Sequence, residues 1–217
     1  SSAEKFVFFS SVKAVADKVN GSQLKEDIVP DPQSPYGKSK LAAENYILSQ
    51  KLPINKRVYI IRPCMIHGPG NKGNLNLLYN IVQKKIPWPL GRFQNLRSFT
   101  SIDNLSFGII KILREEIEPG VYNMADDNPI STNRLIQLIG ESNGNGPVIW
   151  NINKRLLQGL AKAGNLFHLP LNSERLEKLT ESYVVSNNKL KKALNIEYFP
   201  LSVEEGLRKT LQSFNNR

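Results

Sequence analysis

Cysteine and histidine are scarce in this chain. Its 217 residues include one cysteine, Cys64, and two histidines. A single cysteine excludes an internal disulfide and is typical of a reducing, cytoplasmic setting. Because these three potential metal ligands are few and lie far apart in sequence, we predict no metal site. Cys64 follows the end of an apolar segment, so we expect a buried structural thiol rather than a nucleophile.

Long apolar segments are also missing. No run approaches the ~20 residues that cross a bilayer, and no signal-peptide pattern opens the sequence, so we expect no membrane span and a cytoplasmic location. The hydrophobic content of 40% is enough for a core in one or two small domains.

Acidic residues are too few to balance the basic ones, which leaves a formal net charge of +10. Such a charge could favour nucleic acid or an anionic membrane surface. The cations are spread along the chain, however, and the densest group, residues 189–192, has helical spacing. We therefore interpret that group as a solvated helix face and predict no nucleic-acid partner.

Two buried strands joined by a helix are predicted near the start. Residues 5–11 and 57–62 are short, continuous runs rich in aromatic and β-branched side chains, which is typical of parallel strands. Pro35 favours the first turn of an intervening helix that runs to about Gln50. This β-α-β arrangement predicts an α/β fold.

Helix-capping residues recur further along the chain. Asp103 can cap a helix over about 104–114, and Ser131 can cap another. Ser202 and Glu205 have the spacing of a capping box, which predicts that a final helix begins there.

A Tyr-x-x-x-Lys motif, Tyr36 to Lys40, lies in the first predicted helix, 25 residues after the end of a Ser10-Ser11 pair. In a helix the two side chains share one face about a turn apart. An ammonium beside a phenol favours the phenolate, so Tyr36 could act as a base. A serine hydroxyl at the strand end could then hold a substrate oxygen near that base. The alternative is a surface tyrosine beside a solvated lysine.

These features resemble the extended short-chain dehydrogenase/reductases, which are NAD(P)-dependent nucleotide-sugar epimerases, dehydratases and reductases. The similarity continues through Ile61-Arg62-Pro63, Gly68-Pro69 and the segment 201–207. The resemblance implies the C-terminal part of a Rossmann-like, doubly wound parallel sheet plus a smaller, mainly helical substrate-binding domain. Residues 1–72 would belong to the cofactor domain and 73–217 mostly to the substrate domain, with about 97–125 returning to the Rossmann core.

One part of the family pattern is absent. Members open with a Gly-rich strand–turn–helix that contacts the dinucleotide pyrophosphate, and no G-x-x-G-x-x-G follows a strand in this sequence. Its first residues already resemble a late strand of such a sheet. We therefore expect that about the first 90–100 residues of a family member are missing here.

The resemblance assigns roles to the residues of the motif. Tyr36 would be the base that takes the hydroxyl proton, Lys40 would hold the nicotinamide ribose, and Ser11 would hydrogen-bond the reacting oxygen. Ser10, Tyr36, Lys40 and Pro63 would contact the cofactor, either NAD or NADP.

Substrate residues follow from the same resemblance. Besides Ser11, Asn74 corresponds to a family asparagine that contacts the nucleotide diphosphate at a helix start, a favourable place for an anion. Arg97 corresponds to an arginine that binds the same phosphates. The alternatives are a simple helix cap at Asn74 and a surface charge at Arg97. Val12 and Lys13 replace the acid pair of the family's dehydratases, which argues against elimination.

We therefore expect an NAD(P)-dependent nucleotide-sugar 4-epimerase, acting on a UDP-hexose through a transient 4-keto intermediate. A homodimer is one of the oligomeric states that this interpretation allows. An NAD(P)H-dependent 4-keto nucleotide-sugar reductase would use the same residues and stays an alternative. A catalytically silent relative that senses NAD(P) or binds a partner is the alternative of another class, although the intact Ser11, Tyr36 and Lys40 argue against it.

Overall fold

Strands and helices alternate along most of the chain. The computed structural model describes residues 2–71, 74–144, 146–166 and 172–215. The strands are β1 (Lys5–Phe9), β2 (Arg57–Pro63), β3 (Met65–His67), β4 (Leu96–Arg97), β5 (Phe99–Ser101), β6 (Gly120–Met124) and β7 (Ile130–Ser131). The α-helices are α1 (Pro35–Ser49), α2 (Asn74–Gln83), α3 (Ile102–Arg114), α4 (Thr132–Ser142), α5 (Lys154–Leu166), α6 (Ser173–Thr180), α7 (Asn188–Ala193) and α8 (Val203–Asn215).

The main sheet is parallel and has the order β1-β2-β6. Because α1 connects β1 to β2, these three elements form a β-α-β crossover. The central strand β2 is buried from Tyr59 to Pro63, as expected for a strand covered on both faces. The predicted α/β class with a parallel sheet is confirmed. The first strand ends at Phe9, two residues before the predicted end at Ser11.

The chain folds into two compact units. The first contains Ser1–Ile66, Ser98–Pro129 and Tyr183–Gly206, and the second contains His67–Arg97, Ile130–Ser182 and Leu207–Arg217. The functional division predicted at residue 72 concerns cofactor and substrate binding and stays a prediction.

The first unit contains the parallel sheet and its core. Side chains of β2, α3, β6 and α7 form one apolar cluster, which includes Tyr59, Ile61, Ile112, Met124 and Leu190. A second cluster lies where the strands end and includes Val12, Val15, Leu24, Cys64 and Val185. Packed apolar side chains therefore lie next to the carboxyl end of the sheet.

The second unit is mainly helical. Its helix α2 packs against α4, and α5 packs against α6. The ring of Tyr79 in α2 meets that of Phe214 in α8 edge to face, with 5.1 Å between the ring centroids. A short antiparallel pair, β4 with β7, brings Leu96 opposite Ser131.

Two of the three predicted caps are confirmed. The Ser131 hydroxyl accepts the Arg134 N–H at 3.0 Å, and Glu205 accepts the Ser202 N–H at 2.9 Å in the predicted capping box. The cap predicted at Asp103 is wrong, because α3 begins at Ile102 and its N-cap is Ser101. None of the helices in the described part of the chain has the length and apolarity that a membrane crossing requires.

Candidate active site at the carboxyl end of the parallel sheet

Ser10 and Ser11 lie directly after β1. The Ser10 N–H donates to the Ile61 carbonyl at 2.8 Å, so the parallel ladder continues one residue beyond the strand. Ser11 then caps a short 3-10 helix, Val12–Ala14, and its hydroxyl oxygen accepts the Lys13 N–H at 3.2 Å. A hydroxyl that accepts one hydrogen bond can still donate its own proton. Ser11 therefore has the hydrogen-bonding capacity that the predicted role demands.

Tyr36 and Lys40 occupy the first two turns of α1. Tyr36 is 54% exposed, so its phenol is accessible to a ligand. The Lys40 ammonium donates to the Phe9 carbonyl at 3.0 Å, and its nitrogen lies 5.9 Å from the centroid of the Tyr36 ring. Because Phe9 immediately precedes the two serines, this bond holds the Tyr-Lys face of α1 against the end of β1.

The start of α1 is fixed by contacts with the preceding loop. The Asp17 carboxylate accepts the backbone N–H groups of Gln33 at 2.7 Å and Ser34 at 2.8 Å. Burial raises the pKa of Asp17, but hydrogen bonds from Ser34 and Gln33 outweigh that effect and leave the pKa below its ordinary value. The carboxylate form is therefore the one that holds this loop.

Gly37, inside the Tyr-x-x-x-Lys motif, allows α1 to approach the 3-10 helix closely. A Cβ at this position would lie 2.8 Å from the Pro32 Cβ and still closer to the Lys13 carbonyl oxygen. Only a residue without a Cβ fits without a backbone shift. The glycine thus brings Tyr36 and Lys40 to the strand end.

A buried ion pair beneath the site was missed by the sequence analysis. Glu44 lies one turn beyond Lys40 on the same helix face and is buried, as is Arg62 near the end of β2. Arg62 donates to Glu44 through Nε at 2.9 Å and through Nη2 at 2.5 Å. The Ser10 hydroxyl donates to the same carboxylate. This Ser10–Glu44–Arg62 network links α1 to the ends of β1 and β2.

Two signals could have revealed the network. Glu44 continues the spacing of Tyr36 and Lys40 by another four residues, and Arg62 interrupts an apolar strand. A charged residue is rarely buried without a partner of opposite charge, so a buried Glu44 and a buried Arg62 are expected to pair.

Pro63 and Cys64 end the central strand. Pro63 stands opposite Met124 in the ladder with β6, and the Cys64 N–H donates to the Met124 carbonyl at 3.0 Å. Burial raises the pKa of the Cys64 thiol to about 12, and its sulfur lies 3.1 Å from the Thr100 hydroxyl oxygen. Cys64 is buried, and both its setting and its pKa favour the structural role over the nucleophilic one.

The two predicted phosphate contacts belong to the second unit. Arg97 lies in β4, where its Nη2 donates to the Lys178 carbonyl, and among the described residues its buried Nε has no hydrogen-bond partner. Burial lowers the pKa of Arg97, while Glu181 acts in the opposite direction. Asn74 is the first residue of α2, and its side chain lies outside the described part of the structure.

The first unit thus brings together Ser10, Ser11, Tyr36, Lys40 and Pro63 at strand ends and on α1. Open α/β sheets bind their ligands at this carboxyl edge. Within the described residues there is no group of three or more His, Cys, Asp or Glu side chains that could hold a metal ion.

Known proteins are similar to this chain in sequence and in fold. UDP-glucose 4-epimerase of Vibrio cholerae is 30% identical over 228 residues, which cover 100% of this chain and 66% of the relative. N-acetyl-alpha-D-glucosaminyl-diphospho-ditrans,octacis-undecaprenol 4-epimerase of Escherichia coli O157:H7 is 28% identical, with 96% of this chain and 65% of the relative covered. The chain therefore spans about two thirds of the length of these curated relatives.

A solved structure and a family model agree with that similarity. The crystal structure of UDP-glucuronic acid 4-epimerase from Bacillus cereus in complex with NAD superposes with a TM-score of 0.73 at 17% identity, covering 98% of this chain and 62% of the other. Residues 1–125 match the model of the NAD dependent epimerase/dehydratase family. The chain belongs to that family, which confirms the resemblance found in the sequence.

Proposed function

We propose that this chain provides the catalytic residues of an NAD(P)-dependent nucleotide-sugar 4-epimerase, with a UDP-hexose as substrate and a transient 4-keto sugar as intermediate. One observation supports this most strongly. The Lys40 ammonium bonds the carbonyl of Phe9 and lies beside the Tyr36 ring, so a base and its supporting cation adjoin the Ser10-Ser11 strand end.

In the proposed oxidation, Ser11 orients the C4 hydroxyl of the sugar and Tyr36 removes its proton. The Ser11 hydroxyl donates to the sugar oxygen and orients it, and the Tyr36 phenolate takes the proton. The Lys40 ammonium lies 5.9 Å from the centroid of the Tyr36 ring, beside the proposed base. When bound, the nicotinamide supplies the hydride acceptor for this step and the hydride donor for its reversal. In the reversal, Tyr36 returns the proton to the C4 oxygen.

The described residues fit the nicotinamide end of such a cofactor. The Lys40 ammonium has three protons and donates one to the Phe9 carbonyl, so it can also donate to ribose hydroxyls. The Phe9 and Tyr36 side chains are 45% and 54% exposed and so are accessible to a ligand, whereas Ser10 and Ser11 are buried. Ser10 donates its hydroxyl proton to Glu44, so we expect Ser10 to contact a cofactor through its backbone or its oxygen lone pairs.

Arg97 supports a substrate that carries phosphate. Its guanidinium has a buried Nε without a partner in the described part of the chain, which leaves a donor for an anion. The two curated relatives are named for a UDP-sugar and for a diphospho-undecaprenol sugar. Both names describe a hexose linked to a diphosphate. We prefer UDP as the diphosphate carrier of the hexose here.

Substitution of Tyr36 by phenylalanine tests the proposal, in protein that also carries the family's Gly-rich cofactor loop. We expect Tyr36→Phe to lower turnover by ~10²–10⁴ because one proton-transferring group is lost, while the Kd for UDP-sugar changes little. Tyr46→Phe is the matched control, since Tyr46 lies on the same helix and is 68% exposed. Turnover within a factor of two of the wild type would overturn the assignment and favour a silent relative. A 4-keto reductase would be active only with NAD(P)H and a 4-keto sugar, and Tyr36→Phe would lower that activity to a similar extent.

A further inference from the structure

The positive charge of this protein is concentrated in one of its two units. The second unit holds fourteen Lys and Arg residues against four Asp and Glu, whereas the first unit holds fifteen of each. The second unit therefore carries the whole net charge of +10. The lysines of residues 189–192 belong to the first unit, so a solvated helix face there does not account for this excess.

Within the second unit the cations border an open cavity. Its volume is about 520 Å³, and its lining includes the cations Arg92, Lys154 and Arg155 together with amide side chains such as Asn151 and Asn153. Among the described residues, none that lines the cavity is acidic. Residues 142–173 contain no Asp or Glu at all. The three cations of the lining thus attract anions to the cavity.

Apolar side chains are exposed in the same segment. In α5, Leu157 and Ala161 are buried, but Leu156 and Leu160 are 58% and 51% exposed and lie four residues apart on one face. Trp150, which directly precedes the cavity residue Asn151, is 51% exposed. Leucine and tryptophan beside basic residues are the composition of helices that lie in a membrane interface.

We propose that the surface around the start of α5, here called the basic face, docks on an anionic lipid bilayer. It comprises the cavity cations Arg92, Lys154 and Arg155 and the exposed side chains of Trp150, Leu156 and Leu160. The cations meet the lipid phosphates, and the apolar side chains enter the headgroup region. The face contains none of the residues proposed for catalysis, so the inference does not depend on the proposed function.

Charge decides between a bilayer and the other occupants. A second copy of this chain would bring two cationic faces together, which repel each other. Nucleic acid would satisfy the cations, but it offers no apolar partner for two leucines. An anionic bilayer satisfies both kinds of side chain.

Vesicle sedimentation and tryptophan emission test the proposal on the purified protein. We expect binding to vesicles of phosphatidylcholine with one third phosphatidylglycerol, weak binding to pure phosphatidylcholine, and a blue shift of the Trp150 emission. The other tryptophan, Trp88, is buried at 4% exposure and should not respond. Each cation near an anionic surface contributes about fivefold in partitioning, so Lys154→Gln/Arg155→Gln should weaken binding about 25-fold at low salt.

Matched variants separate this face from the rest of the surface. Leu156→Gln/Leu160→Gln should also weaken binding and reduce the blue shift, whereas Leu48→Gln/Leu52→Gln, which removes two comparably exposed leucines of the first unit, should not. Lys25→Gln/Lys51→Gln removes the same charge from the first unit and should bind as the wild type does. Equal binding by all variants, or no binding to anionic vesicles, would overturn the proposal. So would tight binding to a DNA duplex that the leucine variant retains, because it would identify a nucleic-acid surface.

Discussion

Replacement of Glu44 by glutamine should destabilise the first unit strongly. The wild-type carboxylate accepts two bonds from Arg62, at 2.9 and 2.5 Å, and one from the Ser10 hydroxyl. The side chains of both ionic partners are almost completely buried, at 1% exposure for Glu44 and 5% for Arg62. A neutral amide leaves the guanidinium buried without a counter-charge, which costs about 3–5 kcal/mol. That is a large part of the 5–15 kcal/mol by which a typical domain is stable.

Urea denaturation followed by circular dichroism measures this loss. We expect a lower midpoint with an unchanged m-value, because stability changes while the surface exposed on unfolding does not. Glu174→Gln is the matched control, since it removes a pair with Lys178 in which both side chains are about 70% exposed and screened by water. Its midpoint should stay close to that of the wild type. A Glu44→Gln midpoint equal to that of Glu174→Gln would refute the reasoning.

A double variant separates the buried charge from the buried volume. Replacing both partners by apolar residues, Glu44→Leu/Arg62→Met, removes the pair and leaves no unpaired charge, so it should be less harmful to stability than Glu44→Gln alone. Because the network also holds α1 against β1, turnover should still fall in the double variant even where stability recovers. A double variant less stable than Glu44→Gln would contradict the assignment of the cost to the unpaired guanidinium.

Three further outcomes are expected. Arg97→Ala should weaken UDP binding by roughly 1.5–3 kcal/mol, because a charged hydrogen bond is lost; Lys84→Ala is the control, and an unchanged calorimetric Kd would refute the contact. Burial raises the pKa of Cys64 to about 12, so the native protein at pH 8 should resist thiol reagents until it is denatured, and rapid stoichiometric labelling would contradict this. A protein limited to these 217 residues should bind NADH poorly, since it lacks the glycine loop and helix N-terminus that neutralise the pyrophosphate; micromolar affinity in a fluorescence titration would show that another dinucleotide site exists.

Features that depend on neighbouring residues were predictable from the sequence. The helix predicted from Pro35 to about Gln50 runs from Pro35 to Ser49, because Ser34 caps it and proline suits its first turn. The capping box of Ser202 and Glu205 is formed by residues three apart. Such contacts require no knowledge of the rest of the fold.

Features that depend on distant residues were not predictable. The helix near Asp103 begins two residues earlier than expected, because the Asp126 carboxylate accepts the Ser101 N–H at 3.0 Å and Ser101 becomes the cap. Ser10 was predicted only as a cofactor contact, yet its hydroxyl donates to Glu44, 34 residues away. The charge excess was counted from the sequence, but its location follows only from which segments pack together.

The central claim is that Ser11, Tyr36 and Lys40 support reversible oxidation at carbon 4 of a nucleotide sugar, and a label at that carbon tests it most directly. A UDP-hexose deuterated at C4 is incubated with NAD and protein that includes the family's Gly-rich loop, and the products are followed by mass spectrometry and NMR. The account predicts a 4-epimer that keeps its deuterium at C4, because the hydride that leaves the carbon returns to it. With Tyr36→Phe, product should form ~10²–10⁴ times more slowly. A 4-epimer that has lost the deuterium, or product formation that Tyr36→Phe leaves unchanged, would contradict it.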